Sequence, residues 1–258
     1  MPVASDIRAA VARYYDFTPQ FPNDVPYYRA LIPSPDASLL ELGCGTGRVL
    51  LQLAQHCGFI HGIDRSESML ALCRQKLRDA QQPANKVAIT TADIDDFDLG
   101  RTFDLIMAPW RVLQNLETDA QLDGLFASIR RHLAPRGSCV LNVFRPKWPR
   151  KELLRRWITR EETFAWEVAL PGGRLTCHDR RRRLNRDPLV LYPELVWRRY
   201  EGEALLDEVT LQIPMRCYYP DELTALVSAQ GFHVVERWGG YASEPYGEGP
   251  ELVIRFMS

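Results

Sequence analysis

Leu39-Leu40-Glu41-Leu42-Gly43-Cys44-Gly45-Thr46-Gly47-Arg48-Val49-Leu50-Leu51-Gln52-Leu53-Ala54 joins an apolar run, a glycine-rich stretch and a second apolar run at helical spacing. The pattern predicts a short buried strand over 38–42, a sharp turn and an amphipathic helix over 46–57. Three glycines spaced two apart let the backbone turn tightly and leave no side chain between chain and ligand. A helix beginning there offers unpaired N–H groups and a positive dipole end, a seat for a carboxylate or phosphate. Spacing narrows the ligand. A dinucleotide fingerprint, G-x-G-x-x-G, needs glycine at position 48, where Arg48 stands, and a P-loop needs Gly-Lys-Ser/Thr, which the stretch lacks. Arg48 therefore counts against an NAD-dependent oxidoreductase. A non-catalytic scaffold that binds a nucleotide without turnover would carry the same stretch.

Composition bounds what surrounds this stretch. The chain has 258 residues, 46% hydrophobic and 25% charged, with a net charge of −1. That is one elaborated soluble domain by default. No apolar run approaches the roughly 20 residues of a membrane helix. The opening Met1-Pro2-Val3-Ala4-Ser5-Asp6 lacks a basic segment followed by an apolar one, so no secretory signal is expected. Six cysteines lie scattered at 44, 57, 73, 139, 177 and 217 without a CxxC pair. They read as reduced, buried side chains of a cytoplasmic protein and give no metal site.

In place of the two nucleotide fingerprints stands acidic-x-Gly-x-Gly-x-Gly at Glu41, Gly43, Gly45 and Gly47. It resembles the first motif of class I S-adenosylmethionine-dependent methyltransferases. The resemblance implies a Rossmann-like α/β fold, a seven-stranded mostly parallel sheet with helices on both faces. It also implies S-adenosyl-L-methionine as donor, S-adenosyl-L-homocysteine as product, and Glu41, Gly43, Cys44, Gly45 and Gly47 around the cofactor. A second apolar strand, 58–64, ends in Asp64, and Ser66 is placed to cap the next helix, whose Leu70, Cys73 and Leu77 share a face. A carboxylate at that strand end sits where open α/β sheets bind ligands and can accept both hydroxyls of a ribose; its plainer role is a turn or cap. The run from Asp64 and Arg65 to Met69 extends the resemblance, which implies that Met69 packs on the adenine. After a third strand, 86–91, it implies that Asp93 takes the adenine amino group and the N–H of Ile94 faces the ring. Asp95 and Asp96 read as surface.

The fourth strand, 103–107, ends in Ala108-Pro109-Trp110-Arg111. Enzymes that methylate amino groups of nucleic-acid bases carry Asp/Asn-Pro-Pro-Tyr/Phe here, so Ala108 and the single Pro109 count against base methylation. Pro109 is assigned to the cofactor, and Trp110, Arg111, Gln114 and Asn115 follow the strand as candidates facing the methyl group. Thr118-x-x-Gln121 opens a capped helix. The phrase ending Leu133-Ala134-Pro135-Arg136-Gly137 resembles the family's helix-breaking turn, with strand 138–144 after it. At the N-terminus, apolar spacing predicts a helix over 5–15 capped by Ser5, and a second near 25–32. Tyr14 and Tyr15 suit either core packing or an aromatic flap over the ligand, as the resemblance implies.

Residues 145–218 depart from a minimal sheet. Strand-like runs at 164–170, 174–178, 190–200 and 204–213 predict an antiparallel β insertion over the strand ends, a substrate lid. From 145 to 186 there are 13 Lys/Arg against 5 Asp/Glu. Arg180-Arg181-Arg182-Arg183 reads as a solvated strand face, or as a contact for RNA or another nucleic acid, the rarer case. Trp148, Trp157 and Trp166 suit core or stacking. His178 and Asp179 are the candidate bases of the insertion. The helix after Tyr218-Tyr219-Pro220, the strands 232–238 and 251–257, and the loop at Gly239-Gly240-Tyr241 resemble small-molecule methyltransferases, including sugar N-methyltransferases. Tyr218, Tyr219 and Tyr241 are pocket candidates on that basis. The expected organisation is 1–144, flap plus cofactor half; 145–218, insertion; and 219–258, the end of the core. The expected partner is a small-molecule acceptor with an N or O nucleophile, with neither a metal nor a membrane involved; a homodimer is allowed.

Overall fold

The computed structural model describes residues 6–19, 22–83 and 85–258. Two short helices come first, α1 (Ala12–Tyr15) and α2 (Val25–Ala30). Then follow β1 (Ser38–Leu42), α3 (Leu50–Leu53), β2 (Phe59–Asp64), α4 (Glu67–Asp79), β3 (Val87–Thr91) and β4 (Phe103–Ala108). α5 (Asp119–His132) runs directly into β5 (Leu133–Phe144), and α6 (Arg150–Arg156) leads to the second sheet. That sheet is built from β6 (Thr163–Leu170), β7 (Gly173–Arg186), β8 (Leu189–Glu201), β9 (Ala204–Gln212) and β10 (Met215–Arg216). α7 (Pro220–Ala229), β11 (His233–Trp238) and β12 (Glu251–Met257) end the chain.

The first sheet has the order β11-β12-β5-β4-β1-β2-β3. All its pairs are parallel except those of β12, which is antiparallel to both neighbours. Both faces are covered, so its central strands are apolar on both sides. Leu40 and Leu42 of β1, with Ile106 of β4, pack against Leu122 and Phe126 of α5 and Leu223 of α7. Leu39, Leu105 and Met107 face the other way, against Leu50, Leu53 and Leu70. The period of two along each strand sorts these residues. Strand order reverses between β1 and β4, so a crevice opens at their carboxyl ends, where the loops after Leu42 and Ala108 meet.

The second sheet is antiparallel, ordered β10-β8-β7-β6 with β9 also on β8. Its inner face buries Trp166, Leu175, Cys177, Trp197 and Leu211 with Val11 and Tyr14 of the N-terminal segment. Among the described residues, no helix is long and apolar enough to cross a membrane.

Several boundaries differ from the sequence reading. The helix expected over 46–57 is regular only from Leu50 to Leu53, with a 3-10 turn at Ala54–His56. Gly47, at φ +83, holds a conformation no regular helix contains, and the regular turns begin beyond it. The helix expected over 5–15 shrinks to Ala12–Tyr15. The Asp6 carboxylate takes the N–H of Arg8 at 3.0 Å, a local bond that competes with helix start. Ser5, the expected cap, lies outside the described residues. Pro135-Arg136-Gly137 is no turn before β5: Leu133 already pairs with Phe103, and these residues form an irregularity inside the strand, with Arg136 at φ 69. β7 extends through the arginine run to Arg186, and α6 was not foreseen.

Candidate active site

The glycine loop is closed by a carboxylate. Asp64, last residue of β2, accepts the N–H of Gly45 at 2.9 Å through Oδ2 and the N–H of Ser66 at 2.8 Å through Oδ1. Ser66 in turn caps α4, its hydroxyl accepting the N–H of Met69 at 3.2 Å. One side chain thus fixes the loop after β1 and the start of α4, and puts Met69 under the pocket floor. Gly43 and Gly45 stand at φ +68 and +53. A Cβ on Gly43 would lie 2.7 Å from a Val112 methyl, so the loops after β1 and β4 pack without side-chain space between them.

A pocket at this crevice is lined by Gly43, Gly45, Asp64, Arg65 and Met69 from the first half of the sheet. Asp93, Ile94 and Pro109 complete the opposite wall, and Tyr15 covers it from the N-terminal segment. Of the sequence-derived cofactor candidates, Glu41, Cys44 and Gly47 stand outside the lining. Glu41 is buried beneath the loop, and burial pushes its carboxyl well above the usual range. The Cys44 thiol turns toward Cys73, and Gly47 gives way to the same sulfur, 2.7 Å from where its Cβ would be. These three shape the loop from below. Asp95, read as surface, lines the pocket, and Arg65 pairs with Asp93 at 3.3 Å on its rim.

A second cavity of about 690 Å³ adjoins it, between the crevice and the inner face of the antiparallel sheet. Arg8, Tyr15, Trp110 and Asn115 belong to the walls of both. Trp110 and Arg111 are consecutive left-handed residues, φ 59 and 67. Asn142 Oδ1 accepts the N–H of Arg111 at 3.1 Å, and Glu251 receives its guanidinium as a fork, Nε at 3.0 Å from Oε1. Asn142 also donates to Glu251 Oε2 at 3.0 Å. Trp157, Trp166 and Trp197 supply further wall.

Other candidates fall elsewhere. Gln114 is fully buried, donating to the carbonyl of Arg216 and accepting the N–H of Phe144, both at 2.8 Å; it ties β10 to β5. Tyr14 donates to Asp207 of β9 at 2.5 Å and packs in the core of the second sheet. His178 faces the side of β7 opposite the cavity, beside Arg198 and Glu162, whereas Asp179 and Arg181 face inward. Tyr218 lies in the core under α7, and Tyr241 packs edge-on against Tyr27, ring centroids 5.6 Å apart. Tyr219 caps α7 and donates to the carbonyl of Trp148 at 2.9 Å. None of these three lines either compartment. Within the arginine run, Arg180 pairs with Glu162, Arg181 pairs with Asp179 and Arg183 lies over the Tyr192 ring, while Arg182 is exposed. Arg8 and Glu251 went unforeseen. A charged residue opening the apolar run 251–257 was the available sign for Glu251.

Comparison with known proteins agrees with this geometry. Residues 39–137 match the methyltransferase domain family. The chain is 33% identical over 112 residues to a dTDP-3-amino-3,6-dideoxy-alpha-D-glucopyranose N,N-dimethyltransferase from Streptomyces fradiae, 43% of this chain and 40% of that protein. It is 31% identical over 129 residues to a dTDP-3-amino-3,4,6-trideoxy-alpha-D-glucopyranose N,N-dimethyltransferase from Streptomyces venezuelae, half of each chain. The matched stretch thus spans half the length of these relatives or less. In three dimensions the chain superposes on the CcbJ methyltransferase of Streptomyces caelestis with a TM-score of 0.75, 22% identity and 98% of each chain covered. It matches an amino pentose methyltransferase from Micromonospora echinaspora, solved with S-adenosylmethionine bound, with a TM-score of 0.65 and 25% identity over 91% of this chain and 88% of that one. Residues 39–137 thus match a methyltransferase domain family, and the chain as a whole has the fold of solved S-adenosylmethionine-dependent methyltransferases.

Proposed function

We propose that this protein transfers a methyl group from S-adenosylmethionine to an amine nitrogen of a small-molecule acceptor of the amino-sugar type. The observation that carries the reading is the wall of Arg8, Tyr15, Trp110 and Asn115, shared by the glycine-loop pocket and the larger cavity. The residues present suit the cofactor. The outward lone pairs of Asp64 can take two hydroxyls, Gly43 and Gly45 keep the loop bare, and Met69 and Ile94 offer apolar faces to a ring. When bound, S-adenosylmethionine supplies a methyl group already activated on sulfonium. The chain's own work is to hold the acceptor beside the shared wall and keep water out, which the indole walls and the antiparallel sheet acting as a lid do.

An amine is favoured over a hydroxyl by the electrostatics. A neutral amine needs no base, whereas a hydroxyl benefits from one. The two carboxylates in the cavity, Asp179 and Glu251, are each engaged by an arginine, so neither stands free beside the acceptor. His178, the imidazole nearest in sequence, faces away. The six unpaired, buried cysteines suit a cytoplasmic protein. A homodimer through the outward side of the antiparallel sheet, where Phe164, Leu205 and Leu206 are exposed, belongs to the same reading; light scattering tests it.

The decisive experiment is calorimetric binding of S-adenosylhomocysteine to wild type and Asp64→Ala, with NAD as control. Micromolar binding by wild type is expected, falling at least about 100-fold in the variant, the loss of two charge-assisted hydrogen bonds at the ligand seat. Binding of NAD instead would overturn the reading.

A further inference from the structure

We infer that the acceptor is an amine bearing no phosphate, and that Asp179 receives its N–H groups. The inference rests on the methyltransferase reading above and concerns the chemistry of the larger cavity. Among the described residues, the charged side chains of its wall are Arg8, Arg111, Arg181, Asp179 and Glu251. Two of the three arginines are already neutralised. Arg111 is engaged as a fork by Glu251, itself only 6% exposed and further bonded by Asn142. Arg181 brings both Nε and Nη2 to 2.6 Å from Asp179 Oδ2, with its guanidinium over the Trp157 ring. Arg8 belongs to the wall shared with the glycine-loop pocket and donates to Asn115 Oδ1 at 3.3 Å.

Recognition of a diphosphate depends on guanidinium forks that can meet its oxygens. Here a diphosphate meets only Arg8 without competition; to use either fork it would have to displace a carboxylate and leave that carboxylate unpaired in the cavity wall, which costs more than it returns. The opposite charge fits better. Asp179 Oδ1 is enclosed and has no hydrogen-bond partner among the described residues, an unmet acceptor on the cavity wall. Trp110, Trp157, Trp166 and Trp197 line the same cavity, and indole faces disfavour an anion. A neutral amine donating an N–H satisfies Oδ1 and leaves both forks intact. The cavity therefore disfavours a dTDP-linked amino sugar of the kind named for the relatives.

The test uses the full chain saturated with S-adenosylhomocysteine. Calorimetry with dTDP is expected to give no binding to wild type below millimolar concentration. Methyl 3-amino-3-deoxyglucoside, as the amine probe, is expected to bind wild type and to bind Asp179→Asn at least about tenfold more weakly. Asp179→Asn also frees Arg181, so dTDP affinity is expected to rise in that variant. Micromolar binding of dTDP to wild type, no binding of the amine probe to wild type, or equal amine affinity in both proteins would each overturn the inference. Retained S-adenosylhomocysteine binding shows that the variant is folded. If wild type fails to bind S-adenosylhomocysteine at all, it is the methyltransferase reading that falls.

Discussion

Trp110 and Arg111 each sit in a conformation that costs a non-glycine residue roughly 1–2 kcal/mol, and the surrounding groups explain why it persists. The N–H of Arg111 is held by Asn142 and its guanidinium by Glu251, so releasing the arginine releases the turn that aims the indole. In Glu251→Gln we expect S-adenosylhomocysteine affinity within twofold of wild type, with methyl transfer slowed about tenfold, read by single-turnover kinetics. A charge-assisted bond of this kind contributes about 1.5–3 kcal/mol, so the melting temperature should also fall by several degrees. Gly43→Ala meets both a positive φ and the Val112 methyls at 2.7 and 2.9 Å. Its S-adenosylhomocysteine affinity should drop by at least about tenfold, some 1.4 kcal/mol. Burial, with Arg101 and His132 adding to it, pushes the imidazole of His61 down to about 4 from an ordinary 6.5. Between those two values the unfolded chain takes up a proton that the folded chain refuses, so stability falls as pH drops through that window and levels off below it. Glu162, held near 2 by Arg198 and Arg180, acts at lower pH. Its contribution is complete above its ordinary 4.5 and disappears as pH falls toward 2. Denaturant titrations of His61→Phe should flatten the first decline and leave the second.

At the scale of elements, α5 shows what local chemistry specifies. Thr118 accepts the N–H of Gln121 at 3.2 Å, and the Gln121 side chain returns a bond to the N–H of Thr118, also at 3.2 Å. Thr118→Ala should cost about 1 kcal/mol of unfolding free energy, measured in urea. Features of this kind were legible because both partners lie within one turn of chain. The strands of the first sheet were legible as apolar runs, whereas their assembly into seven came from the resemblance that the glycine loop carries. The antiparallel sheet was legible only as strands. Which side chains of β7 face the cavity depends on register with β8, and a shift of one residue exchanges His178 for Asp179. The Arg111–Glu251 pair joins positions 140 apart, and no local pattern announces it. Tyr218 and Tyr241 misled for another reason. A tyrosine against a core and a tyrosine in a pocket leave the same mark in a sequence, and only packing separates them.

Considered as a whole, the molecule is two sheets fastened by its N-terminal segment. Asp6 accepts the N–H of Ser68 on α4 at 3.0 Å, and Asp16 meets Thr46 at 2.6 Å and Lys76 at 2.7 Å, all on the first sheet's side. Arg13 and Tyr14 reach Asp207 on β9, on the side of the second. Asp207→Ala should therefore raise hydrogen exchange across 6–18 while leaving β1 and β4 protected, a difference mass spectrometry resolves. The placement of Trp110 has a consequence for how the protein can be observed. Of the six tryptophans, it is the one that stands in the walls of both compartments. Its fluorescence should consequently report on two ligands through one chromophore. Emission should change when the cofactor product enters from one side and change again when an amine enters from the other; in Trp110→Phe the first response should vanish, and the second should weaken to what Trp157, Trp166 and Trp197 report.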